Sequence, residues 1–327
     1  MTAATQFVHL PAPSHLRPFE LRRDLRAVAD LVELCFGSRL DADGREYLRQ
    51  MRAASAAGWM GWASAAVDRV SMPMSGFVWE EDGRLVANLS LLPVHAQGQR
   101  GYLIANVATH PDYRRRGIAR DLTQAALDHL RRRGIPWCWL QVDEDNPPAQ
   151  LLYQQMGFAE VARRTTWHSA PSLPVESAPT PSGYKIAPRK SADWPQQRAW
   201  LERVYPDQIT WHLPLRLNLL QPGLGSALNR FLNDRQVRQW SLRRGAELVA
   251  VLAWQSSFRQ ADWLWLAAAP EHEEAAVLSL LSVARRSLPP RRALAVDYPA
   301  GRAVEALGAA GFRAHQTLIW MKRRVTL

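Results

Sequence analysis

The sequence has few cysteines and no long uninterrupted apolar run. Cys35 and Cys138 are the only cysteines among 327 residues, which is too few for a disulfide framework and fits a reducing compartment. No run of about 18 apolar residues occurs, so no membrane span is expected. The opening residues lack the basic flank and apolar core of a secretory signal. We therefore expect a cytoplasmic protein without a membrane partner, and we identify no metal site.

Lysine is also scarce, so the positive charge comes almost entirely from arginine. The formal net charge is +11 at pH 7, and lysine occurs only at 185, 190 and 322. The excess has two interpretations: an acidic partner, either nucleic acid or an anionic small molecule, or solvated arginines on helix faces. The arginines are scattered along the chain, which favours the second interpretation. A nucleic-acid partner is therefore not expected, and an oligomer is compatible with the sequence.

The length of the chain predicts two domains. The clearest break is residues 169–183, where four prolines stand among small polar residues and no regular element is expected. The sequence thus predicts an N-terminal domain over 1–168, a linker over 169–183 and a C-terminal domain over 184–327.

The first half has the apolar spacing of alternating helices and strands. Asp82-Gly83, between two strand-like segments, is typical of a β-hairpin. Helical periodicity and stop signals predict helices over 25–36, 41–57, from about 118 to the glycine at 134, and 146–155. Strand patterns cover 76–80, 85–94, 102–109, 137–142 and the residues after 157.

The second half repeats this order of elements. Pro270 takes the place of Pro111, and Gly311-Phe312 takes the place of Gly157-Phe158. Helix patterns cover 194–205, 273–288 and 301–309, and strand patterns cover 237–242, 248–255, 261–268, 293–297 and 316–322. We interpret the chain as a tandem repeat of one fold.

The most informative segment runs from Tyr102 to Phe158. An apolar strand leads through His110-Pro111 into the basic turn Arg114-Arg115-Arg116-Gly117, and an amphipathic helix follows. A strand, a glycine-containing turn and a helix start bring unpaired amide groups and the positive end of a helix dipole to one place. The guanidinium groups add charge-assisted donors. This arrangement is suited to the phosphates of a nucleotide-type cofactor.

Two motifs in this segment resemble the GNAT superfamily of N-acetyltransferases. The cofactor loop of that family is Arg or Gln, two residues, Gly, one residue, and Gly or Ala, which matches Arg114 to Ala119. The later segment of the family matches Asn146, Ala149, Leu152-Tyr153 and Gly157-Phe158. The resemblance implies an α/β (α+β) fold of two tandem acyl-CoA N-acyltransferase-like domains, each a mixed, mostly antiparallel twisted sheet flanked by helices.

The resemblance also implies which residues bind acetyl-CoA as cosubstrate. The main chain of Val107, Ala108 and Thr109 would bind the pantetheine arm and the acetyl oxygen; an ordinary central strand is the alternative. The pyrophosphate would be held by the amides of Arg114, Arg115, Arg116, Gly117, Ile118 and Ala119, for which a solvated basic turn is the alternative. Many relatives have glycine where Arg115 stands, and an arginine side chain demands more room in the loop than glycine does.

Tyr153 and Asn146 each have two interpretations. Tyr153 would act as the general acid that protonates the coenzyme sulfur, or it would anchor the core through its helix. Asn146 would contact the pantetheine arm, or it would cap a helix. We assign no general base: the candidates by position are Glu80, Glu81, His110 and Asp143, and a chain of water molecules would also serve.

The second half lacks the residues that carry these roles. In place of the arginine-glycine turn it has Glu271-His272-Glu273-Glu274, whose carboxylates would repel a diphosphate. Leu307 stands in place of Tyr153, and Ala300 stands in place of Asn146. The sequence therefore predicts a catalytic N-terminal domain and a degenerate C-terminal copy.

The predicted activity is that of an acetyl-CoA-dependent N-acetyltransferase. Such a transfer needs a polarised carbonyl, a neutral amine and a proton for the departing sulfur. A small-molecule or peptide amine would attack directly in a ternary complex. The alternatives are an acyltransferase that uses another acyl-CoA or an oxygen acceptor, and a non-catalytic protein that senses acyl-CoA or associates with nucleic acid.

Overall fold

The computed structural model describes residues 15–40, 42–65, 75–96, 98–169, 180–211, 213–223, 236–257, 261–289 and 292–325; within 42–65 it describes the side chains of 44–56. Most of the linker predicted over 169–183 lies outside the described residues. Among the described helices, none is both long and apolar enough to cross a membrane.

The chain separates into two compact units whose boundaries differ from the predicted linker. One unit contains Met1–Pro93, Gly101–Cys138 and Arg324–Leu327, and the other contains Val94–Arg100 and Trp139–Arg323. The segment 139–168 of the first half thus belongs to the same unit as the second half. The division into domains at 169–183 stays a prediction about the sequence repeat.

The first unit is a sheet with three helices. Its strands follow the order β1 (Leu16–Pro18), β2 (Ser75–Glu81), β3 (Arg84–Ala96) and β4 (Gln99–Thr109). The pairs β1–β2 and β2–β3 are antiparallel. The helices are α1 (Leu21–Phe36), α2 (Ala42–Ala65) and α3 (Ile118–Arg132). Helices α1 and α2 start near their predicted positions, but α2 runs eight residues past the predicted end at 57, to Ala65.

The core of this unit follows from the spacing of apolar residues in α1. Leu25, Val28 and Val32 recur at helical intervals and are buried, so they form one stripe. This stripe packs with Val78 of β2 and Ala108 of β4 in one apolar cluster. Ala108, one of the predicted cofactor residues, therefore faces the core from β4.

The second unit contains the rest of the first half and all but the last residues of the second. Its strands are β5 (Trp137–Asp143), β6 (Ala159–Ser169), β7 (Tyr184–Pro188), β8 (Val237–Arg244), β9 (Glu247–Gln255), β10 (Ala261–Ala268), β11 (Ala293–Pro299) and β12 (Arg313–Arg324). Its helices are α4 (Pro147–Gln155), α5 (Trp194–Val204), the short α6 (Asp207–Thr210) and α7 (Leu217–Leu220), α8 (Glu273–Ser287) and α9 (Val304–Ala309).

In the sheet of this unit, strands from the two halves of the sequence lie next to each other. The order is β5-β12-β6-β11-β10-β9-β8-β7, so β12 from the end of the chain lies between β5 and β6 of the first half. Strand β6 is antiparallel to both β11 and β12, whereas β10 and β11 are parallel. The predicted α/β fold class with mixed, mostly antiparallel strands and flanking helices is confirmed.

The repeat is visible in the hydrogen bonds at corresponding positions. The amide of Phe158 donates to the carbonyl of Tyr153 over 3.0 Å, and the amide of Phe312 donates to Leu307 over the same distance. The preceding glycines, 157 and 311, have φ of +78° and +79°. Both helices therefore end in the same left-handed glycine turn, and Leu307 does occupy the place of Tyr153.

Candidate functional site

A left-handed glycine starts the helix that follows the basic turn. Gly117 caps α3 with φ +81° and ψ −6°, and Ile118, the first helical residue, is buried and fixes the helix start. A left-handed residue followed by a right-handed one turns successive amide groups toward one point, which makes an anion-binding concavity. The first-turn amides of α3 also have no acceptor within the helix.

The surroundings of Gly117 leave room for a phosphate group. A Cβ atom added at Gly117 would meet no other atom within 4 Å, and residues 114–117 are exposed. The glycine is thus required by its φ rather than by crowding. The amides of 117–119 and the dipole of a 15-residue helix together fit the diphosphate of coenzyme A.

Arg115 adopts the conformation that a glycine would adopt. Its φ is +66°, which lies in the left-handed region where side chains are strained. The replacement of glycine by arginine therefore leaves the loop with a glycine-like backbone. This answers the question that the sequence raised about loop shape at this position.

The three arginine side chains of the turn have different environments. Arg114 Nε donates to the carbonyl of Thr109 over 3.2 Å. Arg116 donates to the carbonyl of Asp112 over 3.0 Å, and its guanidinium lies 4.7 Å from the ring centre of Tyr113. Within the described part of the chain, Arg115 has no such partner. Arg115 is thus the cation of the turn that is available to a bound anion.

The end of β4 is less open than the resemblance implies. Ala108 is buried, and Val107 is half-buried. The carbonyl of Thr109 accepts a hydrogen bond from Cys35 Sγ at 3.4 Å as well as from Arg114. Burial raises the pKa of the Cys35 thiol, an effect that Arg114 opposes. The thiol is a neutral donor here, and this carbonyl already has two partners.

Asn106, one residue before the predicted cofactor strand, has an unusual backbone that the sequence analysis missed. Its φ is +51° although it lies inside β4. The side chain of Asn88 donates to the backbone carbonyl of Asn106 over 2.7 Å, and the side-chain Nδ2 of Asn106 donates to Tyr47 Oη over 3.3 Å. An asparagine in an otherwise apolar strand was the signal available in the sequence.

Asn146 and Tyr153 belong to the second unit. Asn146 Oδ1 accepts a hydrogen bond from the amide of Ala149 at 3.3 Å and caps α4, which is one of its two predicted roles. Tyr153 is 5% exposed, and its ring meets Phe158 edge to face with centroids 6.0 Å apart. This packing fits a core anchor, and the catalytic role of Tyr153 stays a prediction.

Two candidates for the general base, Glu80 and Glu81, are engaged by other side chains. Glu80 accepts hydrogen bonds from Arg17 at 2.8 Å and from Arg23 at 2.7 Å. The bond from Arg17 and the adjacent positive charges lower the pKa of Glu80, so it is a weak base. Glu81 accepts from the indole of Trp79 at 3.1 Å.

The other two candidates also have partners. His110 Nδ1 accepts from the amide of Asp112 at 3.4 Å. The carboxylate of Asp143 accepts from the amide of Asp145 and the side chain of Gln316, each at 2.9 Å. No general base is therefore assigned. Within the described ranges, no group of three His, Cys, Asp or Glu side chains is arranged to hold a metal ion.

The corresponding turn of the second half lacks the left-handed residues of the turn before α3. Four residues (269–272) connect β10 to α8, whereas eight residues (110–117) connect β4 to α3. Positive φ does not occur among residues 269–275, all of which the structure describes. Glu273 at the start of α8 accepts hydrogen bonds from Tyr298 Oη and Arg302. A carboxylate of the chain itself thus occupies the positive end of this helix.

Buried side chains also pack at the point where strands β10 and β11 of the second half stop pairing. The parallel pairing of β10 with β11 ends at Leu264 and Val296. Directly beyond it, Asp297 pairs with Arg164 of β6 over 2.6 Å, and both are buried. Tyr205, 2% exposed, packs edge to face on Trp265 of β10.

These contacts connect the two diverging strands of the second half. The guanidinium of Arg164 lies 5.0 Å from the ring centre of Tyr205, which joins the ion pair to the aromatic pair. Burial raises the pKa of Asp297, and Arg164 opposes that shift. A buried ion pair and an aromatic pair therefore lie at the point where the pairing of β10 with β11 ends.

Comparison with known proteins identifies the segment that carries the motifs. Residues 35–158 match the family described as Acetyltransferase (GNAT) family. The chain is 31% identical over 164 residues to the mycothiol acetyltransferase of Thermomonospora curvata, covering 50% of each protein. It is 38% identical over 63 residues to the [ribosomal protein bS18]-alanine N-acetyltransferase of Escherichia coli, covering 19% of this chain and 43% of that protein. The chain thus spans half or less of these relatives.

A solved structure supports the two-part architecture. A tandem GNAT protein from the clavulanic acid biosynthesis pathway superimposes with a TM-score of 0.51 and 15% identity, covering 95% of this chain and 98% of that one. At this level of identity the likeness concerns the fold alone. It agrees with the predicted tandem fold.

Proposed function

Because residues 35–158 match the GNAT family of acetyltransferases, we propose that the protein transfers an acetyl group from acetyl-CoA to an amine by direct attack in a ternary complex. The turn that ends at the left-handed Gly117 is the observation that supports this proposal most strongly. When bound, acetyl-CoA supplies an activated acetyl thioester.

The residues of the first unit would bind and orient the cosubstrate. The amides of 117–119 would hold the diphosphate, and the exposed guanidinium of Arg115 would add a charged donor. The main chain of 107–109 would orient the pantetheine arm. The carbonyl of Thr109 already accepts two hydrogen bonds, so we assign this role chiefly to the amide groups and to the carbonyl of Val107.

Tyr153 remains our candidate general acid, on the strength of the resemblance. Its hydroxyl would donate a proton to the departing sulfur. Asn146 uses its oxygen to cap α4, so only its Nδ2 group would be available to the pantetheine arm. Since the four side-chain candidates for the base have partners, we propose that water removes the proton from the amine.

The acceptor is proposed to be a small-molecule or peptide amine. One relative is named for mycothiol and another for an alanine of ribosomal protein bS18, so both kinds of acceptor occur among relatives. We propose a cytoplasmic reaction, since Cys35 and Cys138 form no disulfide. A non-catalytic sensor of acyl-CoA is the second candidate. This candidate is favoured because each of the four possible bases already has a hydrogen-bond partner: Glu80, Glu81, His110 and Asp143.

Binding of coenzyme A tests the proposal directly. Gly117→Glu places a carboxylate in the phosphate cradle and should abolish binding, because like charges repel at short range. Gly134→Glu is the matched control, since Gly134 also has positive φ (+64°) and an open Cβ direction but lies at the other end of α3. Calorimetry should show one coenzyme A per chain for the wild type and the control. Unchanged affinity in Gly117→Glu would refute the loop assignment.

Turnover separates the enzyme from the sensor. Tyr153→Phe should reduce thiol release from acetyl-CoA across an amine panel by about 10²- to 10⁴-fold, the usual contribution of a general acid, with unchanged affinity for coenzyme A. Release at the wild-type rate in this variant would remove Tyr153 from the mechanism. A wild-type protein that binds coenzyme A but acetylates no amine in the panel would favour the sensor.

A further inference from the structure

We infer that Asn88 is a positioning residue for acetyl-CoA: together with Tyr47 it holds Asn106 in a left-handed conformation, which sets the direction of the main chain at 107–109. The inference rests on the proposed function. It concerns residues that neither family motif contains.

The backbone at Asn106 needs outside support. A left-handed residue inside a strand reverses the local direction of the peptide groups and is typical of β-bulges. Asparagine tolerates this conformation better than other side chains, although it still carries strain. The φ of +51° at the residue just before 107–109 therefore decides where the next amide groups point.

Asn88 supplies the first support. It lies in β3 opposite Val78 of β2 and is 1% exposed. Its Nδ2 donates to the carbonyl of Asn106 over 2.7 Å. Its Oδ1 is buried and has no partner within the described residues. An amide buried with one half unsatisfied is unfavourable compared with an apolar side chain, so its presence in this core is explained by the bond to Asn106.

Tyr47 of α2 supplies the second support, through the side chain of the residue. The side-chain Nδ2 of Asn106 donates to Tyr47 Oη over 3.3 Å. Burial raises the pKa of Tyr47, and the bond from Asn106 partly opposes this. The hydroxyl stays neutral at physiological pH and cannot act as a base here. Both the carbonyl and the side chain of Asn106 are thus held, by two different elements.

The consequence depends on which part of the cosubstrate is bound. The nucleotide part would contact the turn at 114–119, whereas the pantetheine arm would contact the main chain at 107–109. A change at Asn106 should therefore weaken acetyl-CoA but not a fragment that lacks the arm. General unfolding would weaken both ligands, so the two ligands separate positioning from stability.

The test compares acetyl-CoA with adenosine 3′-phosphate 5′-diphosphate by calorimetry. Asn106→Val excludes positive φ because valine is β-branched, and Asn106→Gly allows it. Asn88→Leu removes the support. Asn106→Val and Asn88→Leu should each weaken acetyl-CoA about tenfold, the equivalent of roughly one hydrogen bond, and leave the nucleotide fragment unchanged. Asn106→Gly should bind acetyl-CoA within about twofold of the wild type.

Two results would overturn the inference. One is equal acetyl-CoA affinity in Asn106→Val, Asn88→Leu and the wild type. The other is a parallel loss for both ligands. Hydrogen exchange without ligand gives an independent readout, since the amides of 107–109 should exchange faster in Asn88→Leu. If the wild type does not bind acetyl-CoA, the proposed function is refuted. The positioning role is then tested by hydrogen exchange alone, and it is refuted if the amides of 107–109 exchange at the same rate in Asn88→Leu and in the wild type.

Discussion

Arg115 and Gly117 show how single residues define the candidate cofactor turn. Both have positive φ, but only glycine adopts that conformation without strain. The arginine thus combines an unfavourable backbone with an exposed positive charge in the candidate cofactor turn. Strain that is retained in a turn of this kind is typical of functional sites.

Arg115→Gly separates the two contributions of this residue. The substitution should stabilise the fold by up to about 1 kcal/mol, because it relieves the left-handed strain but adds flexibility to the unfolded chain. It should also weaken coenzyme A binding and reduce its dependence on salt, since one cation is lost. Urea unfolding and calorimetry at two salt concentrations measure these effects.

Asp82→Gly is a matched control for this prediction. Asp82 lies in the exposed β2–β3 turn with φ +49°, so the same relief of strain is expected there without any change in binding. A loss of stability in Arg115→Gly, or full affinity with an unchanged salt dependence, would contradict the proposed role of Arg115.

The starts of α3 and α8 show how the same element diverges in the two halves. Both helices have 15 residues and follow a strand, a proline and a short 3-10 turn. In α3 the turn before the first helical residue is exposed and contains the left-handed Arg115 and Gly117. In α8 the start is filled by Glu273 together with Tyr298 and Arg302. An internal carboxylate thus satisfies the helix dipole where a phosphate would otherwise bind.

Glu273→Ala tests this view of the second half. The hydroxyl of Tyr298, a residue that is buried, would lose its acceptor, which should cost about 1–3 kcal/mol of stability. Coenzyme A affinity and the stoichiometry of one per chain should not change, because α8 is proposed to hold none. Glu274→Ala, one residue on at an exposed position, should alter stability by less than about 0.5 kcal/mol. A second bound coenzyme A in the wild type would be incompatible with a degenerate copy.

At the scale of the whole molecule, the halves of the sequence are not independent. Strand β6 of the first half lies between β11 and β12 of the second, and β12 lies between β5 and β6. Arg164 of β6 is buried against Asp297 of β11. A tandem repeat predicts two separate sheets, whereas these pairings tie the end of the first half to the second.

The fragment 1–168 should therefore not fold by itself, although it contains the whole family match. Without residues 184–327, both edges of β6 lose their partners, and a buried Arg164 without its carboxylate costs about 3–5 kcal/mol. Circular dichroism and thermal melting of the fragment measure this. Co-expression with 169–327 should restore a folded complex that binds coenzyme A. If the fragment by itself melts cooperatively and binds coenzyme A, the pairing of β6 with β11 and β12 is not needed for folding or for binding.

Local chemistry explains which features the sequence predicted. The Asp82-Gly83 hairpin, the glycine-capped start of α3 and the turns at Gly157 and Gly311 are as predicted, because φ preferences and apolar periodicity act over a few residues. The missed features are non-local. Glu80 is bound by Arg17 and Arg23 from distant positions in the chain, and these partners have no signature in the sequence around Glu80.

Local patterns in the sequence predicted the repeat, most of its helices and strands, and the glycine turn before α3, since each depends on neighbouring residues. The short elements β1, β7, α6 and α7 were not predicted. The tertiary structure decided the pairing of β6 with β11 and β12, the burial of Arg164 with Asp297, and the support of Asn106 by Asn88 and Tyr47. Strand pairing and buried polar contacts join residues that are far apart in the chain, so their selection depends on packing rather than on local propensity.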